Sequence, residues 1–430
     1  MHRRRRLSFL APIAVFVLLA ACAEGDDDDD GAAGSGGEEG VVTMAGPEVE
    51  VEADSLQTAF DPFTADTGVE IQYSGDRSFE EQIGVRVQGG DPPDVGIFPQ
   101  PGRLRQFAES GDLIPLSDDV VAAIEANFDP FWIELVSVDG EVYGVPNKSD
   151  VKSLVWYSPA AFEAGGYEPP ETLADFEALQ EEMRAAGDTP WCIGIGSDAA
   201  TGWPFTDWVE DFMLRLKGPD VYDQWVNHEI PFNDPDVVEV GEYVYDIWST
   251  EGNVFGGTQL IASTPFAEAG LPLLDGSCMM HRQANFYAAN WPDGTTLGPD
   301  GDVNVFYLPN DGEFGDVVLG AGTFAAAFRD SQEVMDTLEF MASPEYANER
   351  APDGAFLSAN QNQDTSLYPG DFEIALAEII STADPFRFDA SDLMPGEVGS
   401  GSFWTAAVDI TTGTKTVQEA FDDVEASWPA

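Results

Sequence analysis

Two hydrophobic rhythms take turns along this chain. Val41-Val42-Thr43-Met44 is a short β-branched run that predicts a strand. Over residues 54–66, Leu56, Phe60 and Phe63 recur at helical spacing. Val69-Glu70-Ile71-Gln72-Tyr73 returns to the two-residue period of a strand. Phe79 to Val87 reads as a helix, Asp94 to Phe98 as a short apolar strand, and Gly102 to Glu109 as a helix again. This alternation predicts βαβ units around a parallel sheet.

From residue 141 the character changes. Val142-Tyr143-Gly144-Val145-Pro146 leads into an apolar strand, Ser153-Leu154-Val155-Trp156-Tyr157. Thr172 with Asp175 is an N-cap signature for a helix running through Arg184. A second α/β stretch fills residues 173–305, and Val303 to Leu308 is a strand expected to return to the first half. Ala325 to Phe328 and a helix around Met335 to Met341 follow. The remainder is mostly helical, apart from a loop over residues 385–401.

The first 40 residues stand outside this pattern. Four arginines, Arg3 to Arg6, precede a short apolar run from Leu7 to Leu19. That run is too short for a comfortable membrane span and reads as an export signal. Leu19-Ala20-Ala21-Cys22 resembles a bacterial lipobox, which implies cleavage after residue 21 and a diacylglycerol on Cys22. Residues 22–40, with the acidic run Asp26 to Asp30, then read as a disordered linker beside the membrane. Only Cys192 and Cys278 remain, an even pair in an oxidising compartment, so a disulfide between them is expected.

The length of 430 residues suits two lobes, and no repeat is visible at solenoid or propeller periods. The formal net charge of −61 removes nucleic acid as a partner, since phosphates need a basic face. Removing residues 1–21 takes four of the 18 basic residues and none of the 79 acidic ones. Lysine is scarce: Lys148, Lys152, Lys217 and Lys415 are all of them, a balance that suits a saline habitat. His228 and His281 are the only histidines after the signal. No Cys/His cluster forms, so neither a metal nor a cofactor is expected.

Four ordered segments carry a family resemblance. Gln88-Gly89-Gly90-Asp91-Pro92-Pro93-Asp94-Val95 is the first. Gly144-Val145-Pro146 with Leu154-Val155-Trp156-Tyr157-Ser158-Pro159-Ala160-Ala161-Phe162 is the second. Gly166 with Pro169-Pro170-Glu171-Thr172 is the third. Met394-Pro395, Ser402-Phe403-Trp404-Thr405-Ala406-Ala407 and Thr416-Val417-Gln418-Glu419-Ala420 form the last. Together they resemble the extracellular solute-binding proteins of sugar importers, most of all the α-glucoside and maltodextrin-binding branch. The family usually has Asn after the tyrosine, where this chain has Ser158.

The resemblance implies a type II periplasmic-binding fold of two discontinuous α/β lobes joined by hinge strands, with the ligand between them. One lobe would comprise residues 41–150 and 306–345, the other 151–305 and 346–430, with crossings near Asp150, Val305 and Tyr346. It further implies a sugar ligand, the permease subunits of an ABC importer as partners, and a monomer held outside the cell by its lipid.

Sugars are held by aromatic faces against ring C–H groups and by planar polar groups on hydroxyls, on loops beyond the carboxyl ends of strands. Trp203 precedes a helix and sits off its apolar stripe of Phe205, Trp208, Val209, Phe212 and Leu216, so Trp203 is a ligand candidate and Trp208 a core residue. Trp404 matches a sugar-stacking tryptophan of the resembling group, with packing against Phe403 as the alternative. Phe98 and Gln100 follow one predicted strand, and Asp76 and Arg77 follow another. Arg282 and Gln283 would be pinned near Trp203 by the disulfide, and Asp150 lies at a hinge crossing. Trp156, alternating on its strand, belongs to the core.

Other functions stay open. The same fold could bind a polyamine or another non-sugar solute, or present its ligand to a sensor kinase. A secreted glycosidase needs two carboxylates across a cleft, and no motif nominates a pair. No G-x-S-x-G elbow supports a serine hydrolase.

Overall fold

The computed structural model describes residues 40–354, 356–383 and 385–429. The segment expected to be an export signal, the expected lipid site at Cys22 and the expected acidic linker, Gly40 apart, lie outside the described residues.

Eleven strands appear in chain order. They are β1 (Val41–Gly46), β2 (Glu70–Gly75), β3 (Val95–Phe98), β4 (Ser137–Val138), β5 (Glu141–Val142), β6 (Val145–Val151), β7 (Leu154–Tyr157), β8 (Met280–Arg282), β9 (Asn304–Tyr307), β10 (Val318–Ala327) and β11 (Phe386–Phe388). The larger sheet runs β11-β10-β3-β1-β2, with β6 also paired to β10. Strands β1, β2 and β3 are mutually parallel, as βαβ units require, while β10 runs antiparallel to β3 and β6. The smaller sheet is β8-β7-β9, with both neighbours antiparallel to β7.

Each sheet anchors its own core. The first gathers Val42, Ile71, Phe79, Ile97, Phe98, Leu104 and Phe324 with the helices packed on the larger sheet. The second gathers Val155, Phe176, Trp191, Phe205, Trp208, Phe212, Trp248 and Phe421. Trp156 is fully buried in a third cluster with both cysteines, and its indole donates to the Gln283 carbonyl at 2.9 Å.

The sequence pattern and the structure part company at three places. The helix expected over residues 54–66 is two helices, Glu50–Thr58 and Asp61–Thr67, because Pro62 suits a first turn and not a helix interior. The strand expected to return to the first half at Val303 instead pairs with β7 in the smaller sheet. Phe306, Leu308, Val317 and Leu319 belong to the second core, so the chain passes between cores inside β10 and not at Val305. The loop expected over residues 385–401 contains β11, parallel to β10, and the short helix Ala390–Leu393. The third passage therefore lies at Phe388–Ala390, after a small cluster that takes the chain from Ala347 to Leu376.

The three passages meet. Lys152 N–H donates to the Leu319 carbonyl at 2.8 Å, and Asp389 N–H donates to the Gly320 carbonyl at 2.9 Å. The Ser153 hydroxyl accepts from Leu319 N–H at 2.9 Å and donates to Asp211 at 2.8 Å. The Thr172 side chain caps the helix Leu173–Ala186 by accepting from Asp175 N–H, as its spacing predicts.

Cys192 and Cys278 form a disulfide, with Cα atoms 5.5 Å apart across a separation of 86 residues. In the chain-entropy picture a loop of that size stabilises the fold by about 4 kcal/mol. A Cys192→Ser/Cys278→Ser variant should therefore melt well below the oxidised protein. The check is calorimetry on both, with and without reductant: reductant should lower the parent's Tm and leave the variant's unchanged.

Candidate functional site

A cavity of about 150 Å³, or about 860 Å³ with the space of its open mouth, lies where the passages meet. Elements of both cores build its wall. Glu48 and Glu52 come from the segment after β1, Arg77 and Glu80 from the turn and helix after β2, and Gln100 from the turn after β3. Lys148 and Asp150 come from β6, with Lys152 just beyond. Trp203 and Asp207 come from the helix Trp203–Leu216, Phe266 and Phe286 join Trp203 from the cluster that holds the cysteines, and Trp404 opens the helix Trp404–Thr411. Asp389, Ser391 and Asp392 complete it from the third passage.

The aromatic side is continuous. Trp203 meets the Phe266 ring edge-on at 4.9 Å and lies 6.0 Å from Phe286. Gly202 makes room for it: its φ is +125°, and a β-carbon there would lie 2.4 Å from the Trp404 carbonyl oxygen. Two cations from the first-core side reach these rings. The Arg77 guanidinium lies 5.1 Å from the Phe266 centroid, and Lys148 Nζ lies 5.3 Å from that of Phe286.

The charged side is organised around Lys152. Its ammonium lies 2.9 Å from Asp207 Oδ1 and 2.5 Å from Asp389 Oδ2, all three groups being buried. Burial works against the ammonium, but Asp207 and Asp389 outweigh it and hold Lys152 well above its ordinary pKa. Burial also works against the Asp389 carboxylate, yet Lys152 and its hydrogen bonds bring it down to about 2. Asp207 is less compensated, and burial pushes it up to about 7. Burial and then the charge on Asp389 raise Glu210 and Asp392 well above the carboxylate range. Asp207, Glu210 and Asp389 lie close enough to hold a metal ion, but the Lys152 ammonium already sits against two of them. A cation in that place is the lysine's own.

Five sequence candidates meet on this wall: Arg77, Gln100, Asp150, Trp203 and Trp404. Four do not. Phe98 is fully buried, packed on Phe79, Phe107 and Phe328, because the last residue of β3 still points into the core. The exposed Asp76 opens the helix after β2, accepting from Ser78 N–H and the Gln82 amide, each at 2.8 Å. Those bonds, the Ser78 one foremost, lower its pKa. Arg282 lies behind the wall, its guanidinium 2.7 Å from Asp211 Oδ2 and 3.6 Å from Asp207 Oδ2. Gln283 is buried and turned back on its own backbone, accepting from Ala284 N–H at 2.9 Å.

Sequence reasoning missed most of the charged wall. A signal was present: two of only four lysines flank Asp150 in Lys148-Ser149-Asp150-Val151-Lys152, between the apolar Val145-Pro146 and Leu154-Val155. Asp207, Glu210 and Asp211 lie on a helix that is buried on every side, and such buried charges need a reason.

The wall leaves polar atoms without partners. Glu48 Oε1 accepts from the Asn147 amide at 3.0 Å, but Glu48 Oε2 is buried and unpartnered. Asp207 Oδ1 accepts from Lys152, but no hydrogen bond reaches Oδ2. Glu80 Oε2, Gln100 Oε1 and the Trp404 indole N–H are likewise buried and unpartnered. Four acceptors and one donor thus belong to residues of one cavity wall.

A profile of the bacterial extracellular solute-binding proteins matches residues 49–348. The chain is 41% identical over 392 residues to the osmoprotective compounds-binding protein GgtB of Synechocystis sp., covering 90% of this chain and 92% of that one. It is 38% identical over 402 residues to the alpha-glucosides-binding periplasmic protein AglE of Rhizobium meliloti, covering 89% and 87%. Among solved structures, the bacterial solute receptor AcbH superposes with a TM-score of 0.77 at 19% identity, covering 90% of this chain and 97% of that one. RafE in complex with raffinose gives 0.71 at 18% identity, covering 90% and 98%. These structures show the two-lobed sugar-binding-protein fold.

Two consequences concern stability. Lys152→Met leaves buried carboxylates uncompensated and should cost about 3–5 kcal/mol at pH 7, with a smaller loss at pH 5 as they take up protons. Urea unfolding at both pH values checks this. Burial pushes Glu80 up to about 7, so the folded state holds a proton there that the unfolded state releases near its ordinary pKa. Its contribution makes stability fall as pH rises from about 4.5 to about 7. Glu80→Gln should flatten that part of the profile, measured by the same unfolding.

Proposed function

We propose that this chain, which belongs to the bacterial extracellular solute-binding proteins, captures a neutral sugar between its two lobes for import by an ABC transporter. The ligand is an α-glucoside or a short oligosaccharide. The lobes meet along Val151–Lys152, Leu319–Gly320 and Phe388–Asp389, and closing them brings the two halves of the wall onto the ligand.

The unpartnered atoms of the wall carry this reading. Four acceptors and one donor stand beside an aromatic face. A buried polar atom without a partner costs about 1–3 kcal/mol. A sugar repays that with hydroxyl groups that donate to the carboxylates and accept from the Trp404 indole, while its C–H face lies on Trp203. An anion would bring only acceptors to a wall already short of donors. The names of the two relatives, one for alpha-glucosides and one for osmoprotective compounds, support a small glucoside. Members of the family and these relatives are binding proteins, and the site described here is a binding site. Cys22 would carry the lipid that holds the monomer outside the cell, where permease subunits receive the sugar.

A second reading keeps the fold and puts a polyamine in the cavity. Seven carboxylates against three cations on the wall favour it.

The two readings separate in a thermal-shift screen of the mature chain in high salt against glucose, maltose, trehalose, sucrose, maltotriose and spermidine. A ligand that binds only the folded state raises Tm. The sugar reading expects a shift with an α-linked glucoside, and Trp203→Ala should weaken that binding by about 1–3 kcal/mol without unfolding the protein. A shift with spermidine alone would replace the sugar by the polyamine.

A further inference from the structure

The wall is more acidic than a neutral sugar requires. Seven carboxylates and three cations line it, and the cations are engaged. Lys152 is held by Asp207 and Asp389. Lys148 Nζ lies 2.6 Å from Glu52 Oε1 and 3.8 Å from Asp150 Oδ2. Arg77 stacks on Phe266. Two carboxylates nevertheless keep a buried oxygen without a partner, Glu48 Oε2 and Glu80 Oε2, while Asp207 Oδ2 takes no hydrogen bond and has the Arg282 guanidinium 3.6 Å behind it. Glu48 and Asp207 are 3% and 1% exposed.

We infer that this site takes basic sugars, in which an amine replaces one hydroxyl, more tightly than their neutral parents, and excludes acidic sugars. The inference rests on the sugar reading and names the electrostatic class of ligand that the same site prefers. An ammonium offers three donors and a positive charge where a hydroxyl offers one donor. A hydrogen bond with an ionised partner is about twice as strong as a neutral one. The free oxygens, on Glu48 and Glu80, come from the first-core side of the cavity, and the Asp207 carboxylate lies on the second. An amine at a suitable ring carbon therefore meets a carboxylate while the ring keeps its place on Trp203. Burial lifts Glu80 and Asp207 toward neutrality in the empty site, so an arriving ammonium displaces protons from them. A sugar carboxylate meets a wall on which seven carboxylates outnumber three cations that are already engaged.

The test is isothermal titration of the mature protein at pH 7. The ligands are trehalose and maltose, their monoamino derivatives at C2, C3, C4 and C6, and their 6-carboxylates. At least one amine should bind about tenfold more tightly than its parent. Its heat should vary with the ionisation enthalpy of the buffer in the sense of proton release. Glu80→Gln, which keeps the side chain's shape, should cost the amine more affinity than it costs the neutral parent, since only the amine loses a charged partner. The carboxylates should show no binding. Neutral sugars that bind while every amine is weaker, or a carboxylate that binds as well as its parent, would overturn the inference and leave the sugar reading standing. Silence from neutral and amino sugars alike, with binding of spermidine, would overturn the sugar reading and the inference with it.

Discussion

The arrangement turns on one ammonium group. Lys152 lies at the passage from β6 to β7, and its charge sits between Asp207 of the helix Trp203–Leu216 and Asp389 of the third passage. None of the three groups is tolerable alone in a dry interior, since an unpaired buried charge costs several kcal/mol. Together they join three stretches of chain far apart in sequence. The backbone repeats the connection, with Lys152 bonded to Leu319 and Asp389 bonded to Gly320. Behind Asp207 the charges continue through Arg282 to Asp211 and Arg215, so the helix carrying Trp203 is tied to the smaller sheet at β8. Position of the wall and pairing of the charges are one constraint.

That constraint explains how a wall can keep polar atoms unpartnered. Each would gain by turning toward a neighbour, but Glu48 and Asp207 are held through their other oxygen, by Asn147 and by Lys152. The fold accepts the cost at the cavity, where a ligand recovers it. Function-bearing strain of this kind is expected where local rules and the global fold disagree. The contacts of Arg77 with Phe266 and of Lys148 with Phe286 span the two halves and act in the same direction as a ligand, drawing the walls together.

Much of the fold was legible in the sequence because it obeys short-range rules. β1, β2 and β3 follow the two-residue period, and Thr172 caps its helix. What was not legible depends on distance in space. β9 looks like any apolar strand, and nothing local says that it pairs with β7 and not with the larger sheet. β11 is three residues long and forms only because β10 offers an edge. In the site, Trp203 was legible because it falls off the apolar stripe of its helix, and Trp404 through resemblance. Phe98 failed because a strand end and a loop start look alike in sequence, and one residue decides between core and cavity. The acids of the wall were hidden among 79 others, whereas two lysines out of four in five residues were a signal in plain view.

A sugar lying on Trp203 would satisfy the unpartnered atoms of this wall. A crystal structure of the mature protein grown with trehalose or maltose tests it most directly. The expected result is a ring against Trp203, with hydroxyls donating to Glu48, Asp207 and Gln100 and one accepting from the Trp404 indole. A sugar bound elsewhere, or one in the cavity that leaves those atoms unpartnered, would contradict it.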